Sequence, residues 1–293
     1  MRYLLDNSLL EDMVCSRRLV YRAVLGLRKP LEPALRYGKL FHAFMQYIEP
    51  DDLAMFMAPP MPLADKWNTP EFVALRDQVP PLIQMQLAVH ACAVRDQLAQ
   101  GELATREGFF KFAHPTVEDV DVCGTLDRRE WYEPLGAVLI RDFKTTGKPI
   151  NSDLLDSYRL KSQLFFYAAT QRMMMRGRAP TNKIEEAILA GRIAREYIIV
   201  NYKDNSARGV MFTGPELIHT TVLDEYEALI EERAHVLRFI AQNPNKSTRD
   251  GMTNGGCFFC PFKSICSAND PDKEAHAAAH WQYGMAPYNP EEF

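Results

Sequence analysis

The spacing of apolar and polar positions divides the chain into stretches of different period. Residues 4–24, LLDNSLLEDMVCSRRLVYRAV, set Leu4, Leu5, Leu9, Leu10, Met13 and Val14 at near-helical intervals. A second apolar helix is expected over Tyr37 to Ile48, beginning around Gly38. Pro59, Pro60 and Pro62 mark a linker, and a longer helical pattern runs roughly from Pro70 to Gln100 with a break at Pro80-Pro81. After Gly101 the texture changes. Segments 106–113, 119–126, 128–133 and 136–143 are short, rich in aromatic and β-branched residues, and punctuated by glycine and charge, which predicts a meander of strands. A helix is expected near 154–176, strands around 196–202 and 208–213, and a long amphipathic helix from 221 to 242; the segment 184–191 is ambiguous between helix and strand. This order predicts an α/β (α+β) core, with a helical part at 1–105, a sheet core at 106–220 and a helix plus cysteine-bearing cap at 221–293, all within one domain.

Composition narrows the class. The 293 residues are 47% hydrophobic and 25% charged, ordinary for a folded chain. No apolar run approaches the ~18–20 residues of a membrane span. Asp6, Glu11 and Asp12 interrupt any signal-like apolar region, so a cytoplasmic setting without membrane attachment is expected. The formal net charge of −4 is not the basic excess common among nucleic-acid binders. Arg17-Arg18, Arg28-Lys29, the segment Arg172 to Arg178 and the pair Arg192/Arg195 are local basic patches, each also readable as a solvated helix face.

Six cysteines in a reducing compartment point to metal binding or burial. Cys92, in a helical stretch, and Cys123, in a strand, read as small core residues. Cys15 stands alone near the N-terminus, while Cys257, Cys260 and Cys266 form a C-x2-C-x5-C run. Three thiolates so spaced can take three corners of one metal centre. If Cys15 is the fourth ligand, the centre clips the chain together across about 240 residues. Thiolate sets of this kind hold either zinc or an iron–sulfur cluster.

The reaction chemistry centres on Asp127, at the end of Gly124-Thr125-Leu126-Asp127, and on Asp142, in Ile140-Arg141-Asp142-Phe143-Lys144. Residues two apart in a strand share a face, so Asp142 and Lys144 project together. A bare D-x-K is most simply a surface salt bridge. Two carboxylates on adjacent strands, however, suit a hard divalent ion, Mg²⁺ or Mn²⁺, and a lysine beside it can stabilise charge on a phosphate. Gln163 and Tyr167 stand four apart on one helix face and can touch a nucleotide. His42 lies on the early apolar helix, either as a structural histidine or as a further ligand.

The order G-x-x-x-H at 38–42, G-x-x-D at 124–127, D-x-K at 142–144 and Q-x-x-x-Y at 163–167 resembles the RecB-type branch of the PD-(D/E)XK nuclease superfamily. With the cysteine pattern, the chain is similar to that branch's iron–sulfur members, such as the CRISPR-associated adaptation nucleases and the AddB nuclease domain. The resemblance covers about residues 10–270. It implies a restriction-endonuclease-like core, a central mixed sheet flanked by helices. It implies that His42, Asp127, Asp142 and the backbone carbonyl of Phe143 hold Mg²⁺ or Mn²⁺, that Lys144 is catalytic, and that Gln163 and Tyr167 position the substrate. It further implies that Cys15, Cys257, Cys260 and Cys266 hold a [4Fe–4S] cluster, which Phe258, Phe259 and Phe262 would shield. The residue before the lysine motif's Phe143 is Asp rather than Glu. No G-x-x-x-x-G-K-[ST] occurs, so a stand-alone nuclease is expected. The leading expectation is a metal-dependent DNA exonuclease preferring single strands or ends. A non-catalytic DNA-binding adaptor and a zinc-stabilised RNA nuclease are the alternatives, and homo-oligomers or recombination and replication partners stay open.

Overall fold

The structure is a computed structural model that describes residues 2–13, 15–28, 33–48, 67–99, 101–247, 257, 260–267 and 282–283. In chain order the elements are β1 (Tyr3–Leu5), α1 (Asn7–Asp12), α2 (Ser16–Leu19) running on into a π turn (Val20–Val24), β2 (Leu27–Arg28) and α3 (Pro33–Tyr47). Then come α4 (Pro70–Asp77), α5 (Pro81–Leu98), β3 (Glu102–Ala113), β4 (Val120–Tyr132) and β5 (Ala137–Thr146). The second half holds α6 (Ser152–Arg159), α7 (Gln163–Met175), α8 (Lys183–Leu189), β6 (Ile193–Asn201), β7 (Val210–Phe212), β8 (Glu216–Leu217) and α9 (Thr220–Gln242). A short α10 (Lys263–Ser267) and β9 (Gln282–Tyr283) follow.

Local chemistry sets several helix starts. Asp6 accepts from the Leu9 N–H at 2.6 Å, and Thr69 from the Phe72 N–H at 3.2 Å with Pro70 entering the first turn. Asn151 and Asn182 cap α6 and α8 in the same way, so the ambiguous 184–191 segment is helical. The break at Pro80-Pro81 falls between α4 and α5 as expected. The proline linker at 59–62 lies outside the described residues.

Three expectations are corrected. Segments 119–126 and 128–133 are one strand, β4, so Asp127 sits inside a strand rather than at its end. The helix over 154–176 is two helices. On α6 the buried residue is Tyr158, whereas α7 is buried on most sides, from Leu164 to Met175; one straight helix could not run at the edge and through the core. The first segment is not all helix either, because Tyr3–Leu5 joins the sheet.

Among the described residues the main sheet has seven strands in the order β1-β4-β5-β6-β7, with β3 added to β4 and β8 to β6. β1 runs parallel to β4 and β5 parallel to β6, while β4 and β5 are antiparallel. On β5, Val138 and Ile140 pack into the core under α7 and α9, while Phe143 turns to the opposite face beneath α3 and α5. On α3, Leu40, Phe41 and Phe44 are fully buried in that second core, with Phe44 5.6 Å from the Trp67 ring. Each such side chain contributes about 1.5–3 kcal/mol. Burying that stripe leaves the adjacent face of α3 turned along the sheet.

The sheet forks. β3 covers one edge of β4 over its length, from Asp121 to Trp131. The other edge is shared: β1 pairs with Val120–Val122 and β5 with Arg128–Tyr132. β5 pairs with β6 from Val138 to Thr146, but its pairing with β4 stops at Arg128↔Arg141, so from Asp142 onward β6 is its one strand neighbour among the described residues. Residues 123–127 of β4 and 142–146 of β5 therefore diverge, and both sequence-predicted acids sit at the opening. Among the described residues no helix is long and apolar enough to cross a membrane.

Candidate active site

At the fork the Phe143 N–H meets no strand carbonyl. It donates instead to Asp127 Oδ2 at 2.7 Å. Asp127 thus takes over a ladder position with its side chain, and its Oδ1 lies 3.2 Å from His42 Nδ1 on α3. One residue further round, Asp142 accepts from Gln163 Nε2 at 2.9 Å and stands 2.5 Å from the Lys144 ammonium. Gln163 Nε2 also lies 3.2 Å from the Tyr167 hydroxyl, as their shared face on α7 predicts. Gly124 makes this closeness possible. A Cβ there would stand 2.9 Å from both Phe110 Cζ and Tyr167 Cε1, so a side chain would push α7 off β4.

These groups line a cleft of about 360 Å³ together with Thr125, Lys39, Ala43 and Gln46. The structure brings together His42, Asp127, Asp142, Lys144, Gln163 and Tyr167, as the motifs predicted. Lys39, Gln46 and Thr125 are the lining residues that sequence reasoning missed. A signal existed: 39, 42, 43 and 46 are spaced i, i+3, i+4, i+7, one continuous stripe of α3 beside its buried one.

The site concentrates charge where water is scarce. Asp142 is 2% exposed and Asp127 8%. Burial pushes the Asp142 carboxyl up to about 6; Lys144 opposes this, and Asp127 reinforces it. Burial also disfavours the Asp127 carboxylate, but His42, Lys144 and the Phe143 N–H together hold it below the usual range. His42 and Lys144 show the converse. Burial lowers both, yet the neighbouring carboxylates win and raise His42 to about 9 and Lys144 above its ordinary value. Burial lowers Lys39 and raises Tyr167 well above the phenol range. Two buried acids are thus balanced by two internal cations.

The donor set suits a hard divalent ion: two carboxylates, an imidazole nitrogen and strand backbone oxygen. The buried Asp142 Oδ2 already holds one cation, the Lys144 ammonium, so the pocket is built to stabilise positive charge at this oxygen. Among the described residues no group of three or more His, Cys, Asp or Glu side chains stands at ligand distances, either at the fork or among the cysteines.

The cysteines lie away from the cleft. Cys260 is pushed up by burial and further by the nearby Cys15 and Cys257, with the Phe262 backbone and Arg18 opposing. Cys260 and Cys266 pack against Tyr21, Leu27, Phe262 and Ile265, with Tyr21 and Phe262 rings 5.5 Å apart. Beside them β2 pairs with β9, joining residues 27–28 to 282–283. Phe258 and Phe259 lie outside the described residues. Cys92 and Cys123 are core residues of α5 and β4, Cys123 fully buried.

Of two basic patches, one arginine each is committed internally. Arg172 is bound by Glu227 and Asp224 on α9, and Arg195 by Glu216 and the Arg159 carbonyl, with its guanidinium 3.9 Å from the Phe165 ring. Arg176, Arg178 and Arg192 of the same patches stay exposed.

Among solved structures, the chain is similar to LHK-Exo in complex with dAMP, at 12% identity and a TM-score of 0.31 over 70% of this chain and 94% of that one. It is also similar to an alkaline exonuclease, LHK-Exo, from Laribacter hongkongensis, at 13% identity and a TM-score of 0.33 over 71% and 96%. SSO0001 gives 12% identity and a TM-score of 0.29 over 82% and 97%. No curated protein matches the sequence. Residues 11–267 match the profile of the PD-(D/E)XK nuclease superfamily, so the chain belongs to that superfamily.

Proposed function

We propose that the chain is a divalent-metal-dependent deoxyribonuclease of the RecB-type iron–sulfur branch, an exonuclease acting on single strands or DNA ends. The observation that carries the reading is the buried Asp127–Asp142 pair at the fork, with the Lys144 ammonium on Asp142 Oδ2 and His42 on Asp127. A binding module gains nothing from two buried acids where phosphate must approach, which disfavours the adaptor alternative.

His42, Asp127, Asp142 and the Phe143 carbonyl would hold Mg²⁺ or Mn²⁺. A divalent ion supplies acidification of an attacking water and relief of charge at the phosphate. The chain's own residues do the rest. Asp127 keeps its carboxylate ionised across neutral pH because His42 and the Phe143 N–H bind it. Lys144, held charged by the acids, is placed to meet negative charge growing on the phosphoryl oxygens. Gln163 fixes Asp142 Oδ1, leaving Oδ2 for the ion, and its contact with Tyr167 aligns both for the nucleotide. Lys39 and Gln46 line the α3 wall and are placed to hold the phosphate chain.

Cys15, Cys257, Cys260 and Cys266 would hold the [4Fe–4S] cluster, acting as a clip rather than in the reaction. The reach of Cys15 and Cys257 to Cys260, and the apolar packing of Cys260 and Cys266, support this reading.

Digestion of 5′- and 3′-labelled single-stranded DNA, beside a circular single strand, tests the function. Mono- or short oligonucleotide release from one labelled end with the circle intact is expected. Cutting of the circle would overturn the exonuclease assignment, and cleavage of RNA alone would overturn the DNA one.

A further inference from the structure

Three residues beyond Lys144, β5 leaves the sheet at Gly147, about 10 Å along the strand. There a second feature begins. The Tyr202 N–H donates to the Thr146 carbonyl at 3.1 Å, which places Tyr202, just after β6, over the exit of β5. A Cβ on Gly147 would lie 2.6 Å from the Tyr202 hydroxyl and 3.2 Å from Lys203 Cε, so glycine is what lets both side chains lie across the strand end. Tyr202 in turn meets Tyr37 of α3, ring centroids 4.6 Å apart. Tyr37 is two residues from Lys39 of the cleft wall. Lys148 and Lys203 are exposed, and among the described residues neither is in an ion pair. Two partly exposed aromatic rings flanked by two exposed lysines, at the exit of the strand that carries Asp142 and Lys144, offer ring surface for bases and charge for the backbone.

Resting on the nuclease reading, we propose that Tyr37, Tyr202, Lys148 and Lys203 form a stacking platform that holds the single strand beside the reaction centre. Bases stack on the tyrosine pair while the lysines take the phosphates on either side of Gly147. Recognition by ring faces and charge is indifferent to sequence, as a nuclease that tracks along a strand requires.

The test uses a cleavage-blocked Asp142→Asn protein for binding and the otherwise unaltered chain for catalysis. Affinity for a fluorescent oligo-dT is measured across salt, and hydrolysis of bis-p-nitrophenyl phosphate reads the cleft alone. Tyr202→Ala should weaken oligo-dT binding about tenfold or more, and Tyr202→Phe should restore it. Lys148→Glu with Lys203→Glu, both exposed, should flatten the salt dependence by about 1.4 in the log–log slope. The small diester should turn over at the unaltered rate in every case. Undiminished oligo-dT affinity in both the Tyr202→Ala and the double lysine variant would overturn the platform, leaving Tyr202 a packing residue. Equal loss with the small diester would also overturn it, by assigning these residues to the reaction centre. If the unaltered chain leaves the diester intact, it is the nuclease reading that fails, and the platform is judged on affinity alone.

Discussion

Asp127 and Arg128 are neighbours on β4, and Asp142 and Arg141 are neighbours on β5, yet the two pairs belong to opposite kinds of charge cluster. The arginines enter a closed ladder. Glu130, fully buried, binds Arg128 through one oxygen at 2.7 Å and Arg141 through the other, and Arg141 continues to Glu196 at 2.6 Å. Arg128 also donates to the Leu98 carbonyl. Here each carboxylate meets a guanidinium fork, and the paired strands β4, β5 and β6 hold the whole in register. One residue away the strands part, and the aspartates are balanced by a histidine and a lysine that a stronger cation can displace. A buried ladder with its partners complete is structural. A buried cluster whose acids face a cleft and are balanced by displaceable single-point cations is poised for a ligand.

The comparison breaks most sharply by substituting across it. Asp127→Asn or Asp142→Asn should lower cleavage by about a thousandfold or more, since several kcal/mol of metal-supplied stabilisation are lost. Asp142→Asn should keep the fold, because burial already disfavours that carboxylate, whereas Asp127→Asn also gives up a favourable pairing with His42 and should cost some stability. Glu130→Gln should do the opposite: buried Arg128 loses its carboxylate and Arg141 keeps only Glu196, costing about 3–5 kcal/mol in urea unfolding, with turnover per folded molecule retained. Equal stability of the Glu130 and Asp142 variants would remove the distinction between the clusters.

Lys144→Ala should reduce the rate by about a hundredfold or more while metal binding, followed by calorimetry with Mn²⁺, stays within severalfold. Loss of DNA affinity alone would make Lys144 a phosphate anchor. The pH dependence is smaller and its sign follows from the two titrations. His42, raised to about 9, carries a proton at neutral pH that metal must displace. Asp142, raised to about 6, is ionised above that value. Mn²⁺ affinity should therefore climb by up to about tenfold per pH unit between about 6 and 9, level off above, and fall more steeply below. His42→Ala should flatten the slope between 6 and 9. Without metal, the His42–Asp127 pair supports the fold at neutral pH, and that support is lost as pH rises through about 9. Cys15→Ala should cost least in turnover yet lower both iron content and thermal stability as much as Cys260→Ala does, read by iron assay after anaerobic purification. Stoichiometric zinc would replace the cluster assignment without touching the cleft.

Much of this contrast was legible in the sequence, and for a definite reason. His42, Asp142–Lys144 and Gln163–Tyr167 each depend on spacing within one element, which helix and strand periods translate directly into shared faces. The fork was not legible, because it arises from where β1 and β5 stop along one edge of β4, a register between distant segments. For the same reason the charged run Asp127-Arg128-Arg129 looks like a turn. It continues as strand because His42 faces Asp127, Glu130 accepts from Arg128, and Gln171 on α7 accepts from Arg129. Lys39 and Gln46 were recoverable from helical period, but only once His42 was known to face the acids.

The most direct test of the central claim, that the fork is a metal-dependent nuclease centre, compares the unaltered chain with Asp142→Asn on one end-labelled single strand, with Mg²⁺ or Mn²⁺ and with EDTA. The account predicts cleavage by the unaltered chain with either metal, none in EDTA, and none by the folded variant under any condition. Cleavage that survives EDTA, or that proceeds equally in the variant, would contradict it.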